Sequence, residues 1–121
     1  MTIPTDAVTI TGTLDPHEEI DCIIDCSGIL EEGEQIESGY SLDALAEATA
    51  LGFTFMTGSG RDHARIESNR SIKFWVTIDA LFQDNAAFDE DVSLPIMVTF
   101  VTNSVPARTR QRTLLVPFKQ R

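Results

Sequence analysis

Two cysteines, Cys22 and Cys26, and two histidines, His17 and His63, are the side chains best suited to hold a metal or act as a nucleophile. Structural zinc takes cysteine pairs about two to four residues apart, with a second pair of ligands. The three-residue gap between Cys22 and Cys26 fits the first half of that pattern. However, the pair lies in Ile20-Asp21-Cys22-Ile23-Ile24-Asp25-Cys26, which alternates as a strand does. On a strand the two Cα atoms stand roughly 13 Å apart, so the thiols diverge. A disulfide, which needs less than about 7 Å, is excluded by the same distance. Both cysteines read as small buried side chains. His17 follows Pro16 in a turn, and His63 reads as a loop or edge residue.

The carboxylates Asp15, Glu18, Glu19, Asp21 and Asp25 cluster in sequence and raise the question of calcium, which takes several hard oxygen ligands. No EF-hand spacing is present, and alternation again separates Asp21 from Asp25 by roughly 13 Å. Acid–base or nucleophilic catalysis needs a base held against its partner. No Ser-His-Asp, Cys-His or paired-carboxylate motif has recognisable context here. Gly58-Ser59-Gly60-Arg61 lacks both the Walker pattern and the helix that would follow it, and reads as a turn. The expectation is a protein without catalysis, metal or cofactor.

Charge is more informative. No acidic residue follows Asp91, whereas Arg108, Arg110, Arg112, Lys119 and Arg121 all do. Arg108, Arg110 and Arg112 share one face of a strand, and Leu114, Val116 and Phe118 have the same parity. That face must therefore enter the core near Thr113, by position along the strand or by a bulge. The candidate protein interface is this arginine strand, together with Lys73 and Trp75, which point away from the core on another strand. An acidic patch on a protein neighbour is the matching partner. A second copy would serve, since each copy carries both signs of charge. The plainer account is a solvated strand face.

The elements that position these residues follow from length and periodicity. The 121 residues suit one domain spanning 1–121. A net charge of -10 and a pI near 4.4 oppose binding to nucleic acid or anionic membrane. No run approaches the roughly 20 apolar residues of a membrane helix, and Met1-Thr2-Ile3-Pro4-Thr5-Asp6 does not resemble a signal peptide. A cytoplasmic site of synthesis and assembly is expected. Period-two patterning predicts strands at 7–11, 20–26, 36–40, 53–57, 64–67, 72–78, 94–102 and 109–118. One helical segment is expected at 42–51, ending at Gly52. A long connection covers 79–91. Such short strands separated by turn signals predict an all-β, immunoglobulin-like antiparallel β-sandwich of about seven strands with one short helix. The cysteine–tryptophan–cysteine pattern of antibody domains is absent.

Leu14-Asp15-Pro16-His17-Glu18-Glu19-Ile20-Asp21, then Ile24-Asp25-Cys26-Ser27 and the turn Gly33-Glu34-Gln35-Ile36, form a recognisable series. Together with Phe74-Trp75-Val76, a strand at 98–102 and the arginine-rich strand at 108–116, it resembles small tailed-bacteriophage virion proteins of the fibre–tail adaptor-like kind. The resemblance runs from Leu14 onward. It departs at Cys22 and Cys26, where such proteins usually carry aromatics, and at 42–51, which replaces a strand-like stretch.

The resemblance implies an immunoglobulin-like virion component, assembled in the host cytoplasm and present in several symmetric copies. Its partners would be other phage structural proteins: tail tube or neck and fibre, or the capsid. Modest contacts then suffice, because attachment is multivalent. Two other roles are compatible with the residues. One is a capsid decoration protein. The other is a glycan- or host-binding module using Trp75 and Tyr40 as stacking platforms.

Overall fold

The computed structural model describes residues 14–120. Its centre is the run with the clearest alternation, Ser71–Ile78 (β5), in which Ile72, Phe74, Val76 and Ile78 are all buried. Alternate side chains of a strand point to opposite faces, so this spacing commits one face of β5 to the core. Ile20–Asp25 (β1) pairs with it antiparallel, from Ile20↔Val76 to Asp25↔Ser71. Phe53–Phe55 (β3) and Ala64–Ile66 (β4) pair with the other edge of β5, at its two ends. The second sheet has the order β2-β6-β7, formed by Ser41–Ala44 (β2), Val92–Val101 (β6) and Thr109–Phe118 (β7). The β6–β7 ladder runs without a break from Val92↔Phe118 to Val101↔Thr109. All pairings between strands are antiparallel.

The chain is thus an all-β sandwich of two antiparallel sheets with seven described strands. One core joins the sheets, and Phe53 of the first meets Phe118 of the second edge to face at 6.0 Å. The strand expected at 7–11 lies outside the described residues.

Two expectations are corrected. The strand expected at 36–40 is displaced to Ser41–Ala44, and residue 36 makes only an isolated bridge to Thr102. A turn at 38–39 separates the two pieces. The helix expected over 42–51 shrinks to Ala46–Thr49 (α1). Leu42 and Ala44 also fit a period of two, and the edge of β6 offers them ladder partners, Val98 and Ile96. Pairing outweighs the weak helical tendency of a short segment. The pairing extends to Leu45, whose N–H donates to the Pro95 carbonyl.

The connection at 79–91 is more ordered than its composition implies. It contains a 3₁₀ turn, Ala86–Asp89, capped by the Asn85 side chain, which accepts from the Ala87 N–H. The turn delivers Phe88, fully buried, onto Phe118. Earlier in the same connection, Phe82 covers the end of the α1 turn. Gly52 has φ +85° there, and a Cβ on it would stand 2.7 Å from the Phe82 ring. Gly52→Ala is therefore expected to destabilise the fold by about 1–3 kcal/mol, from left-handed strain and the clash together. The midpoint of urea unfolding measures this.

Candidate functional site

The outward parity of the three-stranded sheet forms a broad face. Strand β6 contributes Ser93, Pro95, Met97, Thr99 and Val101, and β7 contributes their ladder partners Pro117, Leu115, Thr113, Gln111 and Thr109. Strand β2 adds Ser41 beside Thr99 and Asp43 beside Met97. Of these twelve positions only Asp43 is charged, although charged residues are 23% of the chain. Leu115 is 60% exposed and Val101 39% exposed on this face. The Gln111 amide donates to Met97 Sδ across the ladder. Charge depletion at exposed positions favours contact with another protein, because few charges need to be stripped of water.

The other sheet presents a different surface. Trp75 and Lys73 are both half-buried on its outer side, opposite Asp21 and Ile23 of β1. Lys73 Nζ lies 5.9 Å from the Trp75 ring centre and pairs with Asp21 at 3.5 Å. The Arg61 guanidinium lies 5.7 Å from the same ring and pairs with Glu19 at 3.1 Å. Trp75 is therefore already engaged by two cations, which are themselves neutralised. Tyr40, the other aromatic considered for sugar stacking, contacts His63, with its hydroxyl 2.6 Å from Nδ1 and the rings edge to face.

The three arginines separate into two environments. Arg108 precedes β7 and turns toward the 31–34 loop. Its Nε and Nη2 grip the two carboxylate oxygens of Glu34 at 3.2 and 2.8 Å, and Nη1 reaches Glu31 at 3.1 Å. The fork matches the carboxylate in the bidentate geometry that favours arginine. The Glu34 side chain is only 6% exposed, and its Oε1 also accepts the Glu31 backbone N–H. That backbone bond first, and Arg108 second, hold the Glu34 carboxyl down at about 2. Glu31 and then Glu34 raise the Arg108 guanidinium in return. From the other sheet, Arg70 donates to the Glu31 and Glu34 carbonyls. A cleft of about 390 Å³ opens beside this knot, walled by the same glutamates and by Ser104, Val105 and Pro106.

Arg110 and Arg112 lie on the inner parity of β7, opposite the buried Phe100 and Val98. Both are half-buried, and their Nε atoms lie out of reach of solvent. Arg112 Nη1 donates to the Gln111 carbonyl at the margin of the uncharged face. The change from arginine to Leu114 occurs by position along β7, since the ladder contains no bulge.

The thiols of Cys22 and Cys26 are buried and free. Burial, then the adjacent Asp21 and Asp25 respectively, push both up to about 12. Among the described residues no three His, Cys, Asp or Glu side chains converge as a metal site. His17 bridges two loops, with Nε2 2.9 Å from Asp84 and Nδ1 3.3 Å from Asp15. Asp84 first, with Asp15, raises its pKa above 6.5.

The charge-depleted face is the surface that reading the sequence missed. Its signal was present in the alternating positions of 93–101 and 109–117, once they are known to pair. No protein-family model, curated protein or solved structure matches the chain.

Two pH effects follow. The depressed Glu34 pKa contributes stability that is complete above pH 4.5 and is lost as pH falls toward about 2. The unfolding free energies of wild type and Arg108→Ala should thus differ most at neutral pH and converge in acid, as measured by chemical denaturation across that range. The raised His17 pKa works in the opposite sense. Its contribution is complete below pH 6.5 and is lost as pH rises through the raised value. His17→Gln should flatten that alkaline decline in thermal stability.

Proposed function

We propose that the chain is a non-enzymatic docking module of a tailed-phage virion, placed as a fibre–tail adaptor, which engages neighbouring structural proteins through the charge-depleted outer face of β2-β6-β7. One observation carries this reading: a surface twelve residues in extent holds a single charge in a chain of net charge -10. Interface cores are depleted in charge and accept methionine and exposed aliphatics, which Met97, Leu115 and Val101 supply. The strand order supports the immunoglobulin-like part of the reading. Sheets β1-β5-β3 and β2-β6-β7 divide the chain as strands B-E-D and C-F-G divide an immunoglobulin domain.

Virion placement rests on the resemblance that begins at Leu14. The knot of Glu34 with Arg108 lies within the Gly33-Glu34-Gln35-Ile36 turn that carries part of it. Arg108 is thereby assigned to holding the fold, and Arg110 and Arg112 to the rim of the docking strand. The partners proposed are tail tube or neck and fibre proteins, with the chain in several symmetric copies and no membrane, nucleic acid or cofactor involved.

Two measurements test this. Antibody against the chain, gold-labelled on intact particles, is expected at the tail end. Label over the whole head would make the protein a capsid decoration component, and unlabelled particles would remove it from the virion. Leu115→Glu, introduced by complementation, is expected to reduce incorporation at least tenfold with little change in melting temperature, since Leu115 projects from the sheet. Normal incorporation of that variant would show that docking uses another surface.

A further inference from the structure

We infer that the outer edge of β7 is the seat of this chain's own residues 6–13, joined to it as a parallel strand, with Asp6 as the counter-charge of Arg110.

Strand β7 lies at the margin of its sheet and is bonded on one side to β6. Its other edge is engaged at the far end by Leu14, which forms a parallel bridge with Phe118. The Leu14 N–H donates to the Pro117 carbonyl, and the Lys119 N–H donates to the Leu14 carbonyl. Backbone groups of a strand alternate between its two edges. Those of Thr109, Gln111, Thr113 and Leu115 therefore point the same way as the Pro117 carbonyl. Among the described residues no strand pairs with them. An edge of this length, left open, is a template for another strand.

A parallel bridge fixes direction and register together. Counted back from Leu14↔Phe118, residue 10 falls opposite Leu114, residue 8 opposite Arg112 and residue 6 opposite Arg110. Thirteen residues precede Leu14, more than the distance to Arg110 requires. Leu14 and Phe118 are both buried, so this register assigns even positions to the core side. Val8 and Ile10 then join Leu14 there, while Ala7, Thr9, Thr11 and Thr13 take the outer side. A shift of one residue would exchange the two sets and send the apolar side chains outward.

Arg110 gives an independent reason. Its Nε is buried and has no acceptor among the described residues. A buried charged donor without an acceptor is costly. Asp6 is the one acidic residue among the thirteen that precede Leu14. The register set at Leu14 brings it opposite Arg110 and onto the same side of the sheet. The bridge and the unpaired Nε are separate observations, and both select Asp6. The added strand would also widen the charge-depleted face, since Ala7, Thr9, Thr11 and Thr13 carry no charge. That consequence rests on the docking reading; the pairing itself does not.

Amide hydrogen exchange of the full chain, read residue by residue by NMR, tests the pairing. In this register the carbonyls of Asp6, Val8 and Ile10 accept the N–H groups of Gln111, Thr113 and Leu115. These three amides are expected to exchange about a hundredfold more slowly than exposed loop amides, at every protein concentration. Ile10→Pro removes a donor from the added strand and should speed exchange at Thr113 and Leu115 about tenfold. Leu114 and Val116, which face β6, should keep their rates. Asp6→Asn should speed exchange at Gln111 several-fold, and should change nothing further in an Arg110→Gln chain. Free exchange at all three edge amides, or protection that Ile10→Pro leaves intact, would overturn the inference. Protection that grows with protein concentration would overturn it too, because a second copy would then be the occupant. A Gln111 rate indifferent to Asp6→Asn would sink the assignment of Asp6 to Arg110. Docking is read separately, by the incorporation of Leu115→Glu, so either reading can fail without the other.

Discussion

The uninterrupted ladder between β6 and β7 is the constraint from which the rest of the molecule follows. Ten consecutive residue pairs leave no place for the sheet to change parity. Every side chain on these strands is therefore assigned to one side for the whole length, and a shift of one residue would exchange the two sets. The inner set supplies Leu94, Ile96, Val98, Phe100, Leu114, Val116 and Phe118 to the core. The outer set becomes the neutral face. The packing of the interior and the chemistry of the surface are two consequences of a single register.

That register also explains why arginines occur on the inner parity. Toward the start of β7, leucine and valine give way to Arg112 and Arg110, the ladder partners of the buried Val98 and Phe100. One step earlier, Arg108 meets a buried carboxylate. Glu34 is held by Arg108 from the second sheet, while Arg70, between β4 and β5, holds the carbonyls of the same loop. The 31–34 loop thereby ties the two sheets together by charge-assisted bonds, beside the buried Ile29, Leu30 and Ile36. A bidentate pair with one member nearly buried resists local opening better than an exposed pair of the same charges, which contributes little.

The sequence exposed those parts of the structure that depend on local periodicity. The spans of β1, β5 and β7 and their buried residues were readable because Ile, Phe, Val and Leu alternate cleanly within them. The segment around Leu42 was not readable as a strand. Its apolar spacing satisfies both a helix and a strand, and only the free edge of β6 decides between them. Phe88 was hidden for another reason: it stands among acidic residues in a connection, and a 3₁₀ turn rather than a strand brings it inward. The same limitation applied to the sites. Arg108, Arg110 and Arg112 look alike in sequence, yet one is consumed by Glu34 and the others lie over core residues. The outer face shows itself only when three separate segments are laid side by side, since it is defined by the near absence of charge at their alternate positions.

The buried thiols of Cys22 and Cys26 have a consequence for the chemical history of the protein. With their pKa pushed up to about 12, almost no thiolate exists at neutral pH, and the thiolate is the species that oxidants and alkylating reagents attack. Side chains of this kind let β1 fill its place in the core without adding a redox-sensitive group. A domain assembled in a reducing cytoplasm, and afterwards carried into air with the particle proposed here, would cross that boundary unchanged. Labelling of Cys22 by a thiol reagent would then mark the moments when β1 has come away from the core, and its rate would count the openings of the sandwich.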